Sequence, residues 1–249
     1  MAAISYPIYG YPIYIILLYL FFGVLPSFVW LLYYLKKDVH PEPKAMILRI
    51  FCYGMLIAIP AAFLETGFFK LAEEITLFPL LTSFLKIFIG VAFVEEILKY
   101  LVVKIKVLNH HEFDEPIDAM IYMIISALGF AASENILLLT FGLGPKFIFA
   151  ATLSTTLSRF ATATFLHTLC SAIIGYFLAI SFLETKKRNL FLSLGLITSV
   201  FLHGIYNSYI MNNEGNCNIL ILFGVLAALA VFVTFGFRKL RKMQSVCKL

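Results

Sequence analysis

Glu95, Glu96 and Lys99 fall within FVEEILKY, and Glu134 with Asn135 closes GFAASEN. Arg159 and His167 lie eight residues apart, and His203 and Asn207 share LHGIYN. Glu95 and Lys99 are four apart, as are His203 and Asn207, so each pair shares one helical face, and so does the Arg159–His167 pair. Carboxylates and imidazoles gathered in this way suit the activation of water. One glutamate can remove its proton while His and Asn side chains hold an oxyanion. An equally consistent version is an open zinc site, with His167, His203 and either Glu134 or Glu95 as ligands and another Glu as base. The residues leave that choice open.

The rest of the chain explains why these side chains are informative. Of 249 residues, 61% are hydrophobic and 13% charged, and the mean hydropathy is +0.95. So few charged groups cannot cover a water-soluble globule, which excludes a soluble enzyme, a nucleic-acid binder and a disordered linker. Each ionisable side chain held at mid-membrane costs about 2.5–3.5 kcal/mol on insertion scales, so a function is the default expectation for it.

A crossing needs about 20 apolar residues, and seven stretches qualify: 12–34, 45–63, 81–103, 117–141, 159–183, 190–210 and 218–237. The expectation is an all-α integral membrane protein, a single transmembrane domain over 1–249 with a catalytic core over about 80–210. Thirteen Lys and Arg fall at one end of these spans, among them Lys36, Lys37, Lys104, Lys106, Lys186, Lys187, Arg188, Arg238 and Arg241; only Lys70 and Lys146 fall at the other. The positive-inside rule then puts the N-terminus outside and the C-terminus in the cytoplasm. The first span lacks a basic leader and a small-residue cleavage site, so it reads as a retained helix. Such a bundle suits a bacterial plasma membrane. Residues 64–80 read as an amphipathic segment between spans, an interfacial helix or a lid. The basic tail from Arg238 reads as a topology signal and a contact for anionic lipid. Cys52, Cys170, Cys217 and Cys247 form neither a disulfide framework nor a metal motif.

Along the expected spans, Glu95 lies about 14 Å from the cytoplasmic end, and Glu134, His203 and His167 roughly 20–25 Å. Each residue has a plain structural alternative. Glu95 and Lys99 can be a simple ion pair, Arg159 can snorkel, as Arg49 and Lys86 do, and Asn207 can tie two helices together. Polar groups brought to similar depth by four successive helices can satisfy one another, whereas scattered ones would face lipid unpaired.

Other membrane proteases are excluded by absent motifs: there is no HExxH, GxSG or GxGD. The chain resembles the PrsW family of intramembrane proteases, distant relatives of the CAAX-processing and bacteriocin-immunity membrane proteases. Four blocks carry the resemblance, in order between about Leu80 and Ile210: EExxK at Glu95, Glu96 and Lys99; GFAxxEN ending in Glu134 and Asn135; a helix with Arg159, His167 and Gly175; and HxxxN at His203 and Asn207. CAAX-type relatives typically carry EExxR and FxxxH, where this chain has Lys99 and Ala163.

The resemblance implies hydrolysis of a peptide bond in a membrane-anchored protein, such as an anti-sigma factor. It implies Glu95 and Glu96 for water activation, His167 as an essential imidazole, Glu134, His203 and Asn207 completing the site, and Lys99, Asn135 and Arg159 in support. It also implies a metalloprotease, with one Zn2+ or another divalent metal, or a metal-free glutamate mechanism as argued for the relatives. The competing readings are a proton-coupled transporter using a Glu/His relay and a non-catalytic membrane scaffold, for which the small-residue line Thr164, Thr168, Ser171, Ala172 and Gly175 would also serve.

Overall fold

The computed structural model describes residues 11–38, 40–75, 78–212 and 219–243. Cys217, Cys247, Lys248 and most of the loop before the last span lie outside them. Every regular element among the described residues is helical. They are α1 (Ile13–Leu35), α2 (Lys44–Ile75), α3 (Pro79–Phe84), a π-helical stretch (Leu85–Phe93), α4 (Val94–Lys106), α5 (Pro116–Leu137), a second π-helical stretch (Leu138–Gly142), α6 (Phe149–Ala161), α7 (Ala163–Leu183), a 3-10 turn (Thr185–Lys187), α8 (Arg188–Asn212) and α9 (Ile219–Leu240).

Among the described residues, six helical segments are long and apolar enough to cross a membrane: Ile13–Leu35, Lys44–Ile75, Pro116–Gly142, Phe149–Leu183, Thr185–Ile210 and Leu220–Leu240. The remaining expected span, 81–103, is helical as part of 79–106. Lys86, Glu95, Glu96 and Lys99 set its composition apart from the other six.

α5 is the axis. Pro116 through Ala132 are all buried, as expected of a helix that is apolar around its whole circumference. Pro116 opens it, and Glu115 and Asp118 form a reciprocal capping box, satisfying N–H groups that the first turn leaves without partners. α1, α2 and α7 pack around it. A Cβ on Gly54 would lie 2.2 Å from the Ser126 carbonyl oxygen, and one on Gly129 2.1 Å from that of Phe51. Only glycine lets α2 and α5 approach so closely. Outward faces carry Leu17, Phe21, Ile59, Phe63, Leu220 and Phe235, all exposed; contiguous apolar surface of this kind belongs against lipid.

Two expected boundaries change. The segment 64–80 does not leave the second span: α2 continues unbroken to Ile75, because a lone Gly67 does not stop a helix. The fifth span begins ten residues early, at Phe149, and breaks at Thr162 (φ −122°, ψ −88°), so Arg159 belongs to a separate helix from His167.

At the end of the bundle carrying most of the basic residues, Glu42 is buried in the loop before α2. It accepts a hydrogen bond from the Tyr122 hydroxyl at 2.5 Å. Burial pushes its carboxyl up to about 9, with Asp118 and Asp38 adding in the same direction against the opposing Tyr122 hydrogen bond. The folded state therefore keeps a proton that the unfolded chain gives up near 4.5. The stability this brings is complete below about 4.5 and is lost as pH rises toward about 9. Glu42→Gln, neutral in both states, is expected to flatten that slope. Thermal unfolding in detergent across this window checks it; parallel curves for both proteins would refute it.

Candidate active site

Glu95 and Glu96 stand in the first turn of α4, immediately after the π-helical stretch. Lys99 is four residues from one and three from the other, so a single ammonium reaches both carboxylates. Its Nζ lies 3.0 Å from Glu95 Oε2 and 2.8 Å from Glu96 Oε1. Lys99 and Glu96 are fully buried and Glu95 is 2% exposed. The Phe130 ring of α5 lies beneath the ammonium, 4.3 Å from Nζ to centroid, so a cation–π contact replaces part of the lost hydration. The Ser126 hydroxyl donates to the Lys99 carbonyl at 3.1 Å and ties α4 to α5.

The third partner of Lys99 is His167 Nδ1, on α7, at 2.9 Å. An ammonium has no lone pair to offer, so Nδ1 must be the acceptor. The ring proton then sits on Nε2 and is donated to Glu134 Oε2 of α5 at 2.7 Å. Glu134 also accepts from Arg159 of α6 at 3.1 Å. Arg159 Nε donates to Asn135 Oδ1, and Asn135 Nδ2 donates to Thr164 Oγ1 at 3.1 Å and the Gly23 carbonyl at 3.2 Å. The kink at Thr162 thus places the cation of α6 and the imidazole of α7 on one carboxylate.

On α8, His203 Nδ1 lies 3.0 Å from Glu96 Oε1 and, facing a carboxylate, is the donor. In the neutral ring Nε2 then carries the lone pair, 3.9 Å from Glu95 Oε2. The rings of His167 and His203 stand edge to face, 5.0 Å apart. The two adjacent glutamates consequently differ. Glu96 accepts from Lys99 and His203, and at 3.3 Å from Ser171 and Ser199. Among the described residues Glu95 accepts only from Lys99 within hydrogen-bond reach, with His167 Nδ1 3.6 Å away.

A cleft of about 280 Å³ runs to Glu134 between α2, α5 and α6, walled by Ala58, Ala62, Glu65, Phe130 and Arg159. One oxygen or nitrogen from each of Glu95, Glu96, His167 and His203 lies within 4.8 Å of the others, all four side chains being buried. Carboxylate oxygens and imidazole nitrogens are zinc donors, so type and number fit a divalent metal, although the Lys99 ammonium engages three of the same side chains.

The structure therefore joins Glu95, Glu96, Lys99, His167 and His203 directly, and joins Glu134, Arg159 and Asn135 through His167. Asn207 stands one turn beyond His203, half-buried, and no hydrogen bond links it to the group among the described residues. Sequence reasoning passed over Glu65, Phe130, Ser171 and Ser199 as site residues. Ser171 is four residues after His167 and Ser199 four before His203, a one-turn spacing that could have singled them out.

Residues 42–235 match the profile described as PrsW family intramembrane metalloprotease. The chain is 33% identical to Protease PrsW of Geobacillus kaustophilus over 193 residues, 77% of this chain and 79% of that one. It is 32% identical to Protease PrsW of Bacillus subtilis over 226 residues, 90% of this chain and 94% of that one, and 22% identical to that of Clostridioides difficile over 76% of this chain and 77% of the relative. No solved structure matches. With a buried Glu/His/Lys cluster among helices fit to cross a membrane, and relatives of this name aligned along most of its length, the chain belongs to the PrsW family of intramembrane proteases.

Proposed function

We propose that the chain cuts a peptide bond of a membrane-anchored protein, such as an anti-sigma factor, with Glu95 as general base. The observation that carries this is the asymmetry of the glutamate pair: Glu96 is saturated with donors, whereas Glu95 keeps free lone pairs opposite the unprotonated Nε2 of His203, 3.9 Å away. A water bridging those two atoms would have an acceptor on each side. Glu95 takes its proton, the resulting hydroxide attacks the substrate carbonyl carbon, and the Lys99 ammonium is the nearest positive charge to the oxyanion that forms. When the intermediate collapses, Glu95 returns the proton to the departing amine.

His167 is held in one tautomer between Lys99 and Glu134, and Arg159 fixes Glu134 while presenting its remaining N–H groups to the cleft. The substrate reaches the site through that cleft, where Ala58 and Ala62 leave room for a chain. If a divalent metal is resident, Glu95, Glu96, His167 and His203 would hold it in place of the Lys99 ammonium, and it would supply Lewis acidity and a more acidic bound water. The reading includes seven spans, the helix over 79–106 being the seventh, with the N-terminus outside, the C-terminus in the cytoplasm and the cut toward the external half of a bacterial plasma membrane.

The test is cleavage of a membrane-anchored substrate by the reconstituted protein, followed by mass spectrometry, together with metal content and chelator sensitivity. Product formation that persists undiminished in Glu95→Gln, Glu96→Gln and His167→Ala alike would overturn the proposal, as would ion flux through the same vesicles without any proteolysis.

A further inference from the structure

A second concavity shares no lining residue with the cleft at Glu134. Between α1, the α6–α7 junction and α9 runs a groove of about 610 Å³, within the size range of ligand clefts. Its wall is aromatic: Trp30 stacks on Phe165 at 4.3 Å and on Phe160 at 5.1 Å. The indole N–H is already donated to the Phe160 carbonyl at 2.9 Å, so the tryptophan offers the groove its apolar face; Tyr33 and Tyr34 line it as well. Across from it α9 contributes Ala230 and Thr234, the threonine hydroxyl being bonded to the carbonyl of Ala230 at 2.8 Å. At one end stand Lys37, Arg238 and Arg241. None of the three forms an ion pair with a carboxylate among the described residues.

We propose that this groove is a binding site for an anionic phospholipid, its acyl chain along Trp30, Phe160 and Phe165 and its phosphate among Lys37, Arg238 and Arg241. The charge lies at the end of α1 and of α9 that also carries Lys104, Lys106 and Arg188, where anionic headgroups attract cations. Three cations gathered at one end of an aromatic wall complement a phosphate joined to an acyl chain, which favours a lipid over an apolar transmembrane segment as the occupant. The inference uses none of the catalytic residues and stands or falls separately from the proteolytic reading.

Trp30 is the only tryptophan of the chain, so its fluorescence reports on this groove alone. In vesicles, phosphatidylglycerol with brominated chains is expected to quench Trp30 at lower mole fraction than brominated phosphatidylcholine. Lys37→Gln with Arg238→Gln should weaken the preference by about 25-fold, each cation being worth roughly fivefold in affinity, while Lys37→Arg with Arg238→Lys should keep it and controls for folding. Equal quenching by the two lipids in the unmodified protein, or a preference undiminished by removal of both cations, would overturn the site. So would quenching by a brominated transmembrane peptide that displaces both lipids.

Discussion

Glu95→Gln is expected to lower kcat by about 10²- to 10⁴-fold, the contribution a positioned general base makes, while leaving KM and the melting temperature close to those of the unmodified protein. The amide has nearly the same shape and can still accept from Lys99 through its oxygen, so the bundle loses little. What it cannot do is take a proton. Glu96→Gln is expected to behave differently because Glu96 has no lone pair to spare: Lys99, His203, Ser171 and Ser199 all donate to it. An amide in its place presents N–H groups to at least one of those donors in a fully buried setting, and a mismatched buried polar group costs about 1–3 kcal/mol. The melting temperature should then fall together with activity. Single-turnover cleavage and thermal unfolding of both variants check the division of labour. Equal losses of stability with equal losses of rate would mean that the two carboxylates share one structural role and that the base lies elsewhere.

Much of this arrangement could be read from spacing. Glu95, Lys99, Glu134, His167 and His203 read as inward-facing because intramembrane charge is expensive, and the four helices that carry them are the ones whose side chains meet. Periodicity gives a face of a helix but not the neighbour it turns toward. Hence the links of Glu134 to both His167 and Arg159 were not legible, and neither was the lack of a hydrogen bond from Asn207 to the group among the described residues. The continuation of α2 to Ile75 was hidden because Glu65, Lys70, Glu73 and Glu74 give that stretch the composition of a segment outside the membrane, although nothing in it terminates a helix. That continuation places Glu65 on the wall of the cleft beside Glu134, where no motif would have put it. The break at Thr162 has no proline or glycine to announce it; only the packing of α6 and α7 shows it. The six membrane-capable segments follow from apolar length alone, while the helix over 79–106 is set apart by its charges, three of which are site residues.

Lys99→Met is expected to be the most damaging single change in the cluster. The methionine fills similar volume above Phe130 but removes the ammonium that Glu95, Glu96 and His167 all engage. Removing one partner of a buried ion pair leaves its charge uncompensated, at a cost of about 3–5 kcal/mol; here two carboxylates are left, one residue apart. His167 loses the donor that fixes its proton on Nε2, so its bond to Glu134 is no longer specified and the two-helix link through Arg159 slackens. Activity and stability should therefore fall together, in contrast to Glu95→Gln. Combining Lys99→Met with Glu96→Gln removes one of the stranded charges and should restore part of the melting temperature without restoring cleavage, since neither the cation near the oxyanion nor the His167 tautomer returns. A Lys99→Met protein that melts like the unmodified one and still cleaves would show that the ammonium is a bystander, and the site would then have to be rebuilt around a different cation held by the same four donors.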